Sequence, residues 1–282
     1  MHLKALRSLL FIPALSSHLF AKAAQRGADA LILDLEDAIA FDRKEQARQA
    51  LPQAVALLAG SLPVLVRVNS AEPLLSADLQ ALPHQGVAGV LLPKVESAEQ
   101  VQQVAHRLQT LGHSPASLPL IPLVETPLGV LHLESIATAH PAVGALGFGA
   151  EDYAAMLCVN PTPQSMSWAA HAVANCAAAF GLACWGLPGS VTEIDNETLF
   201  TELVGLARAM GFTGTVCIHP VQVQHANRGF GPSNDELAWA RAVVDAGEQA
   251  LALGLGAVKL NGKMIDRPLI ERARAWLAVA QR

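Results

Sequence analysis

Two hundred and eighty-two residues, 52% hydrophobic and 15% charged with 21 glycines, describe a globular chain of one large domain or two smaller ones and exclude disordered and collagen-like classes. Nineteen Lys and Arg against 24 Asp and Glu leave a net charge of −5, which excludes nucleic acid or an anionic membrane as a partner held by charge alone. The mean hydropathy of +0.34 is spread over short runs, none near the roughly 18 to 20 residues of a spanning helix.

At the start of the chain, Lys4 and Arg7 precede an apolar run at 9–15, and Ala21-Lys22-Ala23 mimics a leader cleavage site. Pro13 interrupts that run, and the same residues parse better as a strand at 8–12, a turn, and a helix at 17–26 with Ser16 or Ser17 as its N-cap. Further strands are predicted at 30–33, 64–68, 89–92, 120–124, 143–148, 182–185 and 215–218. Helices are predicted between them at 43–58, 74–82, 98–111, 128–138, 163–180 and 197–210, and after them at 236–253 and 268–279. Eight strands alternating with helices predict a (β/α)8 TIM barrel over 1–230, with C-terminal helices and a glycine-rich lid or arm over 231–282. A doubly wound sheet is the weaker reading, because no GxGxxG follows the first strand. Met210 and Trp239 fall at helical spacing among apolar residues and read as packing. Cys158, Cys176, Cys184 and Cys217 form neither a CxxC pair nor a zinc-finger spacing, which predicts free thiols in a cytoplasmic protein.

Catalytic groups of such barrels sit where strands end. Here the strands run into Asp34-Leu35-Glu36-Asp37, Arg67-Val68-Asn69, Pro93-Lys94-Val95-Glu96, Glu125-Thr126, Glu151-Asp152 and His219-Pro220. Carboxylates converging on one mouth repel one another unless a cation offsets them. Oxygen ligands without Cys or paired His favour Mg2+, with Mn2+ as the alternative, and Glu125 and Asp152 are the first choice as ligands. Each acid alone can equally cap a helix or pair with a rim cation. Arg67, ending an apolar strand, must pair with Asp34 or Glu36, hold a substrate oxygen, or both. Lys94 stays open between partner of these acids and ligand contact, His219 between base, ligand contact and structural group, and His18 and Lys22 between phosphate contact and solvated helix face.

Taken together, RSLLFIP at 7–13, DALILDLEDA at 29–38, VRVN at 66–69, LLPKVES at 91–97, LVETPLG at 123–129, GAEDY at 149–153, GFTGTVCIHPVQ at 211–222 and NGKMID at 261–266 resemble the citrate lyase β subunit-like family. That family lies within the HpcH/HpaI aldolase superfamily, beside malyl-CoA and citramalyl-CoA lyases. The resemblance implies a homotrimeric barrel, Mg2+ on Glu125 and Asp152, and Arg67 at the reacting acyl group. It further implies that a neighbouring subunit's arm supplies Asp266, and that Phe11, Lys22, Ile218 and His219 contact an acyl-CoA. Asp34, Glu36 and Asp37 would orient Arg67 or metal-bound water. His18 departs from the lysine of some relatives, and Asn196 from an Asp in many CoA lyases. The activity implied is Mg2+-dependent cleavage of a 3-hydroxy-acyl-CoA to acetyl-CoA and a 2-oxo acid. The β subunit of a citrate lyase working on a citryl-acyl carrier protein, and a non-catalytic barrel, are the alternatives.

Overall fold

The computed structural model describes residues 2–114 and 116–280. The chain divides into two compact units, Met1–Phe230 and Gly231–Arg282.

In the first unit the strands are β1 (Ser8–Pro13), β2 (Ala30–Asp34), β3 (Val64–Arg67), β4 (Val87–Leu92), β5 (Leu120–Val124), β6 (Ala145–Phe148), β7 (Ala183–Gly186) and β8 (Thr215–Cys217). They lie in one parallel sheet of order β7-β6-β5-β4-β3-β2-β1-β8, and a parallel bridge between Trp185 and Gly214 joins its ends. Their composition explains this: successive side chains of a strand face opposite ways, and in a barrel both faces are buried. Leu9, Ala30, Ile32, Leu65, Leu91 and Trp185 pack together inside, whereas the intervening Leu10, Leu31, Leu33, Val64 and Val66 pack with the helix layer. The predicted (β/α)8 barrel is therefore observed.

The helices are α1 (Ser17–Ala24), α2 (Lys44–Leu58), α3 (Leu74–Ala81), α4 (Ala98–Thr110), α5 (Pro127–Leu131), α6 (Leu133–Ala137), α7 (Ala150–Leu157), α8 (Pro163–Ala179), α9 (Glu197–Met210) and α10 (Pro220–Phe230). Several begin at side-chain caps that satisfy orphan amides, including the Ser97/Gln100 and Thr162/Ser165 boxes of α4 and α8. Ser16 caps α1 by position, yet its hydroxyl makes no capping hydrogen bond. The single helix expected over 128–138 is two, broken at His132, whose ring Nδ1 lies 2.7 Å from the Glu96 carbonyl. Two helices were not anticipated. α7 grows straight out of the acidic rim string after β6, and α10, the helix of the eighth unit, follows His219 directly and buries a short stripe of Val223, Ala226 and Phe230. Met210 packs against the core as expected.

The second unit holds α11 (Asn234–Ala252), β9 (Val258–Leu260), β10 (Lys263–Ile265) and α12 (Arg267–Ala280). The expected glycine-rich lid is an antiparallel hairpin, turned by Asn261 and Gly262 at φ 48° and 81°, the pair that favours a tight two-residue turn. Ala240, Val243, Ile265 and Ala273 form its core, with Trp239 packed against them. Among the described residues no helix is long and apolar enough to cross a membrane.

Candidate active site

The register of β2 against β3 places Asp34 beside Arg67, so a carboxylate and a guanidinium leave the sheet side by side. Arg67 donates from Nε to Asp34 Oδ1 and from Nη2 to Oδ2, both at 2.7 Å, a bidentate fork that fixes the plane of the guanidinium. Asp34 is itself held, accepting from the amides of Glu36 and Ala38. The Nη1 of Arg67 lies 3.1 Å from Glu36 Oε2 and 3.5 Å from Asp37, and the Phe11 ring sits against the guanidinium at 4.7 Å. Burial works against the Arg67 charge, but the Asp34 hydrogen bonds and the surrounding carboxylates outweigh it and raise its pKa.

Glu125, just beyond β5, is 3% exposed. Its Oε1 accepts from the Lys94 amide at 2.8 Å, and the backbone of Gly149 presses on its other side. Burial first, then the charges of Asp152 and Glu36, push the Glu125 carboxyl up to about 8. Asp152 lies in the first turn of α7. Lys94 Nζ reaches Glu36 Oε1 at 3.0 Å. Burial also raises the Glu36 pKa, with Arg67 opposing it.

Phe11, Asp34, Asp37, Arg67, Glu125, Asp152 and Ile218 line one cavity of about 470 Å³, with Leu91, Leu123, Trp185 and Thr215 among its other lining residues. Glu36 stands just behind it through Arg67 and Lys94. Besides Glu36, three predicted residues, Lys22, His219 and Asp266, are not among those lining the cavity. Lys22 is exposed on α1, and His219 is exposed at the start of the β8 loop, where its Nδ1 accepts from the Val221 amide. Asp266 belongs to the C-terminal unit, between β10 and α12, with Oδ1 buried and without a hydrogen-bond partner.

Sequence reasoning missed the supports. The buried Lys44 ammonium donates to the carbonyls of Leu35 and Glu36 at 2.7 and 2.5 Å. Asn69 donates to the Leu35 carbonyl and to buried Asp78, which Arg48 pairs from the other side. Gln222 accepts from the amides of Ile218 and His219 and donates to the Val191 carbonyl, tying the β8 and β7 loops together. A lysine opening a helix reads as solvated, so nothing in the sequence marked Lys44. The Gln three residues after His219 was a readable loop-capping signal.

The donors fit a hard divalent ion. A buried carboxyl that keeps its proton near neutral pH, because other carboxylates crowd it, marks uncompensated negative charge at the cavity wall. Among the described residues no three His, Cys, Asp or Glu side chains form a ready metal cluster. Mg2+ typically takes one or two carboxylates and completes its shell with water and substrate, and Glu125 and Asp152 would be the two.

Residues 7–220 match the family described as HpcH/HpaI aldolase/citrate lyase. The citrate lyase subunit beta-like protein of Deinococcus radiodurans is 35% identical over 97% of this chain and 96% of its own. The mitochondrial citramalyl-CoA lyase of Homo sapiens is 31% identical over 97% of this chain and 85% of its own length. The citrate lyase subunit beta of Escherichia coli is 32% identical over 98% and 93%. Among solved structures, the protein CitE of Mycobacterium tuberculosis in complex with magnesium, acetoacetate and coenzyme A superposes with a TM-score of 0.81 at 33% identity, covering 98% of each chain. Identity of this extent, sustained along nearly the whole chain and matched by the barrel, makes this protein a member of the HpcH/HpaI aldolase/citrate lyase family, among relatives that are named lyases.

Proposed function

We propose that the chain is a Mg2+-dependent carbon–carbon lyase that cleaves a 3-hydroxy-acyl-CoA of the citramalyl or malyl type, reversibly, to acetyl-CoA and a 2-oxo acid such as pyruvate or glyoxylate. The observation that carries this reading is that buried Glu125, its carboxyl pushed up to about 8, and Arg67, its guanidinium fixed by Asp34, line the same cavity. When bound by Glu125 and Asp152, Mg2+ supplies Lewis acidity toward the oxygens of the substrate's hydroxy-acid end.

The residues of the chain do the rest. Once the hydroxyl proton passes to solvent water, the oxygen's electrons form the carbonyl of the 2-oxo acid, the bond to the thioester α-carbon breaks, and that bond's electrons pass into the thioester as an enolate. Arg67 offers that oxygen a positive partner already fixed by Asp34, so no reorganisation is needed as charge develops. Glu36 and Asp37 hold the remaining edge of the guanidinium. Asp266, supplied in a homotrimer by the arm of a second copy, delivers the proton that turns the enolate into acetyl-CoA. Phe11 shields the guanidinium, while Lys22, Ile218 and His219 receive the CoA. The four thiols are free, which supports a cytoplasmic setting.

The test is an assay of the purified protein with citramalyl-CoA, malyl-CoA, and acetyl-CoA plus each 2-oxo acid, with and without a chelator. Metal-dependent release or consumption of acetyl-CoA is expected, and no metal-dependent turnover of any thioester would sink the proposal. The likeness to the Escherichia coli citrate lyase subunit beta favours a second reading, action on a citryl-acyl carrier protein. Co-purification of an acyl carrier protein and an α subunit would select it over the CoA-dependent reaction.

A further inference from the structure

Lys94 follows β4 with its backbone at φ 54°, one of three non-glycine residues in the left-handed region among the described residues. A long side chain disfavours that region, and it persists where the surroundings hold it, characteristically beside functional groups. Two contacts follow from it. The turned peptide aims the Lys94 N–H at Glu125 Oε1, 2.8 Å away, while the side chain carries Nζ to Glu36 Oε1 at 3.0 Å. The other oxygen of Glu36 lies 3.1 Å from Arg67 Nη1. One residue thus touches the carboxylate expected to hold the metal and, through Glu36, the guanidinium expected to hold the enolate.

We propose that Lys94 is a positioning residue that couples the two halves of the site, its peptide N–H fixing Glu125 and its ammonium fixing Glu36 and thereby Arg67. A rim ion pair of no consequence would need neither the left-handed backbone nor a second contact made by the same residue. The turnover half of this inference rests on the lyase reading above; the metal-binding half does not.

The two limbs separate by substitution. Lys94→Asn keeps a residue that tolerates the left-handed region and keeps the N–H, but removes the ammonium. Lys94→Val removes the ammonium and, being β-branched, also resists the backbone conformation. Mn2+ binding is read by titration calorimetry without substrate, and thioester cleavage by steady-state kinetics. For Lys94→Asn, Mn2+ affinity should stay near the wild-type value while kcat falls about 10- to 100-fold, the range for lost outer-shell partners. Adding Glu36→Gln to it should cost much less than Glu36→Gln costs the wild type, because both act through Arg67. For Lys94→Val, Mn2+ affinity itself should fall about 10- to 100-fold, with circular dichroism showing an intact fold; Lys94→Ala, with a smaller backbone penalty, replaces it if it does not fold.

Lys94→Asn with wild-type kcat, or with effects that add fully to those of Glu36→Gln, overturns the ammonium limb. A folded Lys94→Val or Lys94→Ala that binds Mn2+ like the wild type overturns the peptide limb. Wild-type protein that binds Mn2+ yet turns over no thioester overturns the lyase reading instead, and leaves the Mn2+ comparison standing as the test of Lys94.

Discussion

Gly149→Ala should disable the site through one displaced carboxylate. Gly149 has ordinary dihedrals, φ −97° and ψ 90°, so it is not needed for its conformational freedom; it is needed for space. A Cβ built there would lie 2.3 Å from Glu125 Oε2, 2.6 Å from Glu125 Cβ and 3.2 Å from Glu125 Cδ. Carbon atoms pack at about 3.5 to 4.0 Å, so Glu125 or the backbone of the β6 loop must move by roughly 1 Å. Overpacking of this kind costs about 1 to 3 kcal/mol, and a 1 Å misplacement at a reacting centre costs about 100-fold in rate. Denaturant unfolding and kcat/KM for the cleaved thioester should show these two losses together. Gly60→Ala, with nothing within 4 Å of the added methyl, is the control and should change stability by no more than about 0.5 kcal/mol. Because the damage runs through Glu125, Gly149→Ala should add little to Glu125→Gln in a double-mutant cycle. Wild-type turnover in Gly149→Ala, or full additivity with Glu125→Gln, would refute the reasoning.

With the Glu125 carboxyl raised to about 8, the folded protein holds a proton that the unfolded chain has lost between about pH 4.5 and 8, so metal-free stability should fall as pH rises through that window. Mg2+ held by Glu125, as proposed, would displace the same proton, and calorimetry at pH 7 in buffers of different ionisation enthalpy should find close to one proton released per site, absent in Glu125→Gln; no release by the wild type would refute this. Arg67→Lys should lower kcat by about 100- to 1,000-fold, since an ammonium cannot reproduce the fork on Asp34 and still face an oxygen, and near-normal kcat would make the Asp34–Arg67 pair purely structural. Asp266→Ala and Glu125→Gln should each be inactive, yet co-refolded equal mixtures should regain about a quarter of wild-type activity if sites are shared between copies. Mixed oligomers that stay inactive would place Asp266 outside the shared site.

The barrel was legible because a strand buried on both faces is written as an unbroken apolar run, as in Ala30–Asp34, which is buried throughout. The acids were legible because so few charges exist and many of them follow such runs. What stayed hidden depends on neighbours that sequence does not display. Lys44 has the charge of a solvated residue, and only the fold turns it inward onto two carbonyls. Nothing about Lys94 announces a left-handed backbone, since that conformation is imposed by the turn after β4 rather than by the residue. Gly149 reads as one glycine among 21 until Glu125 is placed against it. The Asn261-Gly262 turn, by contrast, carried a recognisable hairpin signal that the glycine-rich context obscured.

The electrostatics of the mouth explain why these residues make sense only as a set. Arg67, Lys94 and Lys44 interact with Asp34, Glu36, Asp37, Glu125 and Asp152, while Asp78 is answered separately by Arg48. Fully ionised, three cations face five carboxylates, and two negative charges are left over beside a largely apolar barrel interior. The protein alone answers part of the excess at Glu125, whose carboxyl is pushed up to about 8 by burial and its acidic neighbours, while Glu36, also raised by burial, is held by Arg67 and Lys94. A divalent cation removes the excess without protonation, and leaves the cavity near neutrality before an anionic substrate arrives. A purely structural ring of acids would gain nothing from burying Glu125 at a site that disfavours its ionised form, because a glutamine there would fill the same space without the desolvation cost. On the proposed reading the burial of that carboxyl serves metal binding, and its cost to the metal-free fold is the quantity that the pH titration measures.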